Sequence, residues 1–474
     1  MTEEFATAVR EVVGSAYVRS DEASFDVYGQ DALGEGHPPG LVLLPGTTQE
    51  VAAIARLCNE HRVPLVVRGA GTGYTGGAVP ICGGVVVSME RLNRIVEIDQ
   101  ANLLAVVEPH VITGDLQRAA EGVGLLYPPD PASLETSSLG GNVAECAGGP
   151  RAFKYGTTRQ YVLALEAVLP TGEIVKTGSK AVKNVVGYDL TRLLVGSEGT
   201  LAIITKITLR LIPLPPARAT LLALFADIHT AVRAVTSLID RRVVPAALEL
   251  VDAASLRAVN DYLGEAIAPA ETGAALIVEV DGVQAAVDVE IGSVADACRN
   301  VGATRVSLAA SEGERDRLWH VRRELSPALK ATGLLKINHD VVVPRGRIPD
   351  LFAVIDEIER NYHVRVAAFG HAGDGNIHVN LMLDRTDSRQ PARAEQAVRV
   401  LFERVVALEG SISGEHGIGF SKVPYIGIEL SPDEIALMKR VKVAFDPNGI
   451  LNPGKIFPAA RAASAADAAL IEGV

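Results

Sequence analysis

Two segments of this chain concentrate side chains that bind cations and move protons. In Phe369-Gly370-His371-Ala372-Gly373-Asp374-Gly375-Asn376-Ile377-His378-Val379-Asn380, two imidazoles flank a Gly/Asp turn that bends the chain back and lets them converge. Farther on, Ser413-Gly414-Glu415-His416-Gly417 adds a carboxylate and a third imidazole. Two histidines and a carboxylate are a common ligand set for Zn, Mn or Fe that leaves coordination positions open. A cation so held acts as a Lewis acid on a bound oxygen. A neighbouring histidine can take the released proton, a step typically worth about 10²–10⁴ fold. Glu415 and His416 are adjacent and can divide ligation and proton abstraction between them; the sequence leaves open which does which. The competing reading makes Asp374 and Asn376 an ordinary Asx turn and the histidines satisfied polar groups. Three of the chain's ten histidines fall in these two glycine-rich loops, which favours a site.

Arg322 lies in Arg317-Leu318-Trp319-His320-Val321-Arg322-Arg323-Glu324-Leu325-Ser326-Pro327-Ala328-Leu329. On a helix, Leu318, Leu325 and Leu329 share its face, so the guanidinium projects from apolar surroundings. A charge there needs an anionic partner. Arginine forks onto carboxylates, so a substrate carboxylate is one candidate. An internal Glu or Asp, or a stem that snorkels to water, are the others. Pro327 kinks this helix and limits the argument beyond it.

Three tracts are rich in glycine. Arg68-Gly69-Ala70-Gly71-Thr72-Gly73-Tyr74-Thr75-Gly76-Gly77 follows an apolar strand. Glycines let a backbone take positive φ and approach a ligand, and successive N–H groups form a nest suited to a pyrophosphate. A plain turn is the alternative; a Rossmann loop fits poorly, because no convincing helix follows. The second tract runs through Pro128-Pro129-Asp130-Pro131, Ser138-Leu139-Gly140-Gly141-Asn142-Val143-Ala144, Gly148-Gly149 and Lys154-Tyr155-Gly156. The third is Gly196-Ser197-Glu198-Gly199-Thr200-Leu201-Ala202-Ile203-Ile204. Three such tracts in one domain fit a large ligand threaded between backbone segments better than a set of turns.

The elements that must position these groups follow from apolar periodicity. Phe5, Val9, Val12 and Val13 predict a surface helix within 1–20. Strand, turn and helix follow over 41–61, with Thr48 as N-cap. Short strands recur at GGVVVSM, IVEID and LLAVVEPHV, then a helix at TGDLQRAAEGVG and a hairpin at VLALEAVLPTGEIVKTG. Pro213, Pro215 and Pro216 mark a boundary, after which strands and helices in the order of an antiparallel α+β domain take over. With 474 residues, more than one core is expected. A net charge of -12 argues against nucleic acid as a partner. Cys58, Cys82, Cys146 and Cys298 form no CxxC pair, so no iron–sulfur or structural zinc motif is written here. The acidic N-terminus is unlike a signal peptide, and no apolar run approaches the roughly 20 residues that span a bilayer. A cytoplasmic location, or one peripheral to the membrane, is expected.

RGAGTGYTGGAVP, PPDPASLETSSLGGNVAECAGG and VGSEGTLAIIT together resemble the FAD domain of the vanillyl-alcohol oxidase / p-cresol methylhydroxylase superfamily. Their order and spacing resemble the branch of D-lactate dehydrogenases, the glycolate oxidase flavin subunit and D-2-hydroxyglutarate dehydrogenase, over roughly residues 38–457. The resemblance implies an α+β chain: a helical segment (1–37), a two-subdomain PCMH-type FAD-binding domain (38–217), an antiparallel-sheet FAD-linked oxidase C-terminal substrate domain (218–458) and an Ala-rich tail (459–474). It implies that Arg68, Gly69, Ala70, Gly71, Thr72, Gly73, Thr75 and Gly76 hold the FAD pyrophosphate. Ser138, Gly140, Gly141 and Asn142, with Gly148 and Gly149, would line the isoalloxazine and ribityl side, and Pro129, Asp130, Ala144, Tyr155 and Gly156 would be further FAD contacts. Glu198, Gly199 and Ile203 would take the adenine side, and Asn452 is a further FAD contact. Relatives often attach FAD through a loop histidine; Tyr74 stands there instead, with no His or Cys in 68–80, so non-covalent FAD is expected.

The same resemblance implies His371, His378 and Glu415 as metal ligands, His416 as base, Arg322 and Lys336 as carboxylate anchors, Asn380 as a substrate contact, and Ser326 as a further catalytic residue where some relatives carry another small hydroxyl. The implied activity is oxidation of a D-2-hydroxy acid, with hydride passing to flavin. His339 departs from the acidic residue common in the family and is expected to bear on substrate choice, as an added ligand or base. Electrons would leave to a quinone, a cytochrome, an electron-transfer flavoprotein, an iron–sulfur subunit or dioxygen; a homodimer is compatible with the sequence. The rival readings are a metal-dependent hydrolase with structural glycine loops, and a non-catalytic FAD-binding subunit of an oxidase complex.

Overall fold

A computed structural model describes residues 1–265 and 267–458. The predicted Ala-rich tail lies outside the described residues.

The runs Leu41–Leu43, Leu65–Arg68 and Val85–Ser88 form a parallel set with Val85–Ser88 in the middle. Continuous apolar runs of this kind suit strands covered on both faces. Leu41, Leu43, Leu65, Val85 and Val87 face one core, whereas Val42, Val66 and Val86 face another. Helix Thr48–His61 buries Val51, Ile54, Ala55 and Cys58 against this sheet. Its cap is Thr47, not the expected Thr48: the Thr47 hydroxyl accepts the Glu50 N–H at 3.1 Å, the spacing a capping side chain requires. The N-terminal helix, Glu3–Val13, buries Phe5, Val9 and Val13 in the same core. Ile450 and Leu451 join it from the far end of the chain, with Leu451 bridged to Leu65. The first core therefore draws on residues outside the predicted 38–217 range.

A second, antiparallel sheet has the order Ile95–Asp99, Leu104–Val107, Ile203–Arg210, Val162–Val168, Ile174–Gly178. Its last two strands are the predicted hairpin. Beyond the proline boundary stands a seven-stranded antiparallel sheet. Its order is Arg305–Leu308, Ala217–Phe225, Ala274–Gly282, Ala247–Asp252, Arg365–His371, Asn376–Leu383, Leu335–Val342.

Period-2 alternation decides where the chemistry sits on this sheet. Leu248, Leu250, Val341, Ala368, Ile377, Val379 and Leu381 face the core under helices Ile228–Asp240, Gln284–Asn300, Ile348–Tyr362 and Gln390–Ala407. The alternate residues face helices Ala253–Leu263 and Glu312–Ala331. That second face carries Phe369, and by the same alternation Glu249, Lys336, Asn338, Asp340, His371, His378 and Asn380. No helix among the described residues is long and apolar enough to cross a membrane.

Candidate active site

The turn between Arg365–His371 and Asn376–Leu383 places Phe369 opposite His378 and His371 opposite Asn376. Gly375 makes it possible: its φ is +88°, and a Cβ there would lie 2.0 Å from the Val343 carbonyl oxygen. Both predicted imidazoles thus project from one face, with ring centroids 5.4 Å apart.

Glu415 reaches them on a loop tied down from two directions. The fully buried Asp340 carboxylate accepts the backbone N–H groups of Glu415 at 2.6 Å and His416 at 3.1 Å. Lys422 donates to the same carboxylate at 2.5 Å. From the first domain, Glu198 accepts the N–H groups of Ile418 at 2.8 Å and Gly419 at 2.6 Å, and the Thr75 hydroxyl donates to the His416 carbonyl at 2.9 Å. The result brings Glu415 Oε1 to 3.7 Å from His371 Nε2, 3.5 Å from His378 Nε2 and 3.7 Å from His416 Nε2. One ligand atom each from His371, His378 and Glu415 lie within 4.8 Å of one another, which makes this trio able to hold a cation. Ligands at about 2.0–2.2 Å from a tetrahedral cation sit roughly 3.3–3.6 Å apart, close to this spacing.

The electrostatics suit positive charge at the centre of the trio. Burial opposes ionisation of Glu415, yet the imidazoles around it hold the carboxyl down at about 2. Burial pushes His378 down to about 3, which keeps it neutral and able to ligate. Burial also lowers His371, but the Glu249 and Glu415 carboxylates together outweigh it and raise that imidazole well above its ordinary value. Glu249 accepts from His371 Nδ1 at 2.7 Å, which turns Nε2 toward Glu415. A carboxylate behind a ligating imidazole fixes its tautomer and orientation. His416 is placed otherwise: Nδ1 lies 3.4 Å from Asp340 Oδ1, and its ring stacks between Tyr74 and His378 with centroids 5.3 Å from each.

Arg322 resolves one alternative in favour of an internal partner. Its Nε donates to Glu249 Oε2 at 2.5 Å, and the guanidinium lies over Phe369. Its Nη2 is buried without a partner, and the residue lines the main cavity. Ser326, one turn on, also lines that cavity. Lys336 stands behind it and donates to the Ser326 hydroxyl at 2.5 Å; the Tyr74 hydroxyl is 3.3 Å away on the other side. Burial pushes Lys336 down to about 7, helped by Lys330.

Two expectations are displaced, His339 by strand phase and Asn380 by its own hydrogen bonds. His339 adds neither ligand nor base: it points to the opposite face of the sheet, edge-on to Phe402 with centroids 5.0 Å apart. The acidic group that serves the loop is its neighbour Asp340. Asn380 is fully buried and spends its amide on the Ala367 and His378 carbonyls. Its cross-strand partner Asn338 donates to it at 2.8 Å and is the one that lines the cavity.

The cavity, of about 370 Å³, runs between the two domains. Gly69, Ala70, Gly71, Thr72 and Gly73 line it, with Ser138, Gly140, Gly141, Asn142, Ala144, Glu198 and Gly199. Arg322, Ser326, His378, Glu415 and His416 line it as well, with Tyr74 of the first glycine loop stacked on His416. Ile203 turns into the first core, and Ile204 takes the lining position expected of it, because alternation puts neighbours on opposite faces. Arg68, Thr75, Gly76, Pro129, Asp130, Gly148, Gly149, Tyr155, Gly156 and Asn452 lie behind the lining. Several of these brace it. Arg68 donates to the Gln30 carbonyl, Asp130 accepts the Arg151 N–H, and the Tyr155 hydroxyl donates to Asp281. Asn452 donates to the Gly77 and Glu198 carbonyls. A Cβ on Gly148 would come 2.9 Å from Glu415 Oε2, so glycine there leaves room for the ligand carboxylate.

Two family models match. The FAD binding domain covers residues 39–178, and the C-terminal domain of FAD linked oxidases covers 214–456. The chain belongs to the FAD-linked oxidase family. The glycolate oxidase subunit GlcD of Bacillus subtilis is 43% identical over 91% of this chain and 92% of its own. A D-lactate dehydrogenase of Anaerostipes hadrus is 37% identical over 96% of this chain and 98% of its own. Among solved structures, 4-ethylphenol oxidase from Gulosibacter chungangensis superposes with a TM-score of 0.79 at 23% identity, over 97% of this chain and 98% of its own. p-Cresol methylhydroxylase with substrate bound gives 0.78 at 18%, over 95% and 96%. At those identities the likeness establishes the fold, the expected PCMH-type α+β architecture.

This FAD-linked oxidase is thus an FAD-dependent oxidoreductase, and the hydrolase and non-catalytic readings are set aside. Its glycine-lined wall suits a flavin dinucleotide, because backbone stands there where side chains would intrude. Sequence reasoning missed Glu249, Asp340, Asn338 and Lys422. Glu249 stands in the apolar strand Ala247–Asp252, and a carboxylate in such a setting signals a buried partner.

Proposed function

We propose that this FAD-linked oxidase oxidises a small D-2-hydroxy acid, of the D-lactate, glycolate or D-2-hydroxyglutarate kind, to its 2-oxo acid with a divalent metal beside the flavin. One observation carries the reading. A His–His–Glu trio, a braced histidine and a cationic anchor meet at the cavity that the glycine loops line. The relatives named for glycolate and D-lactate support the same substrate class.

FAD, when bound along the glycine loops, supplies the two-electron acceptor. A Zn, Mn or Fe ion on His371, His378 and Glu415 would supply Lewis-acid polarisation of the substrate hydroxyl. The protein's own groups do the rest. His416, oriented by Asp340, receives the hydroxyl proton. Arg322 offers its unpaired Nη2 to the substrate carboxylate, and Ser326 with Lys336 behind it offers a second contact. Electrons leave to an external acceptor.

Anaerobic mixing with D-lactate, glycolate, D-2-hydroxyglutarate and D-malate tests the proposal. At least one should bleach the flavin; a flavin that stays oxidised with every one of them refutes it.

A further inference from the structure

The main cavity is not the only opening at the chemical end. A second cleft, of about 140 Å³, lies beside it between the domains. The two share three lining residues: Ala132, Arg322 and Arg323. Ala132 and Arg323 are both exposed, so the shared wall reaches solvent. We infer that this cleft is the way in for the anionic substrate, with Ala132 at its neck and an arginine-rich wall drawing carboxylates toward Arg322. The inference rests on the proposed 2-hydroxy acid activity.

Three observations support it. First, the glycine-lined side of the main cavity is committed to the flavin, so a small substrate needs another approach to the histidines. Second, the cleft is lined by five arginines (151, 218, 315, 322 and 323) and three carboxylates (Asp130, Glu279 and Asp316). Arg151 pairs with Asp130, Arg315 with Asp316 and Glu312, and Arg322 with Glu249. That leaves Arg323 without an ion pair among the described residues, and Arg218 with only the exposed Glu312 at 3.7 Å, as the charges an incoming anion would meet. Positive charge left unpaired at a cleft raises the local concentration of anions. Third, two of its carboxylates turn oxygens to protein donors and not to the opening. Glu279 accepts from Trp319 Nε1 at 2.8 Å and from Thr220 at 2.7 Å. Asp130 accepts the Arg151 N–H at 3.0 Å, with Arg151 Nε 3.4 Å away. Arg218, whose side chain is 41% exposed and 3.7 Å from Glu312, stands in the cleft but not in the main cavity.

Two variants of the FAD-loaded enzyme test the route, each read by the anaerobic flavin-bleaching rate. Arg218→Glu should cut kcat/KM for the 2-hydroxy acid by about 10 fold at low ionic strength, the lower edge of electrostatic steering. The deficit should vanish at high salt, with kcat at saturation within twofold of wild type. Ala132→Trp should narrow the neck and slow bleaching by the substrate and by dithionite, an anionic reductant that needs no active-site recognition, with FAD content unchanged. Dithionite also separates the two ideas. If no hydroxy acid bleaches the wild type, the substrate assignment has failed, and the dithionite rates still judge the cleft. Wild-type rates and salt dependence in both variants would overturn the route.

Discussion

A single carboxylate, Glu249, holds both Arg322 and His371: Oε2 accepts from the guanidinium at 2.5 Å and Oε1 from the imidazole at 2.7 Å. Burial works against its ionisation, yet Arg322 and His371 keep it near 2. The proposed carboxylate anchor and the proposed metal ligand are thus mechanically one unit. Glu249→Gln removes the charge and keeps the shape. Removing one partner from a buried ion pair costs about 3–5 kcal/mol. Tm should fall, and metal content should drop together with substrate affinity. Loss of only one of the two by the variant, measured by metal analysis and substrate titration, would show that the coupling is not real.

The His–His–Glu assignment has its own test. His371→Ala or His378→Ala should abolish metal retention and turnover but leave the flavin spectrum intact, because neither residue belongs to the glycine loops. Full metal occupancy in either variant refutes the ligand set.

Legibility in the sequence followed the rarity of the residue types. Histidines and glycines clustered in a few loops announced the trio and the cradle. The strands were readable because branched aliphatics alternate or run together as sheets require. Phase was harder. Ile203 and Ile204 are both apolar, so nothing local says which one meets the cavity. His339 and Asp340 are both polar, and only the register of Leu335–Val342 against Asn376–Leu383 separates the core face from the site face. Glu249 was invisible for a further reason: its partners lie 73 and 122 positions away, beyond any local pattern.

Lys336 gives the site a pH signature. Its amine, ordinarily near 10.5, is pushed down to about 7 chiefly by burial. Above that value it loses the charge that would help hold a carboxylate, so KM for the acid should rise as pH climbs past about 7. Lys336→Arg, which stays charged, should remove that limb of the profile. The stability sign is opposite. Between about 7 and 10.5 the unfolded chain binds the extra proton, so this group's contribution to stability grows with pH across that window. An unchanged KM limb in the arginine variant would sink the assignment.

The flavin linkage is checked without any substrate. Residues 68–80, the loop to which the sequence resemblance assigns a linking histidine in some flavoproteins, hold Tyr74 and contain neither His nor Cys. Acid precipitation of the holoenzyme should therefore release all FAD to the supernatant. Yellow colour retained in the washed pellet would mean a covalent bond formed elsewhere.

Asp340 offers the sharpest separation of positioning from ligation. Its carboxylate, burial notwithstanding, is held below the usual range, with His416 and Lys422 as the main causes. It braces the Glu415–His416 backbone and faces His416 Nδ1, but it is not one of the three ligands. Asp340→Asn leaves Lys422 buried without its counter-ion, so stability should fall by about 3–5 kcal/mol at neutral pH. Because the folded value is depressed, the wild type's advantage is present above about 4 and disappears as pH falls below it. Metal content should be largely retained, since His371 and His378 are anchored on strands. Turnover should drop by about 10² fold or more, the scale of a lost general base, with a shifted pH–rate profile because His416 has lost its orienting partner. A variant with normal kcat and an unmoved profile would remove His416 from the proton path.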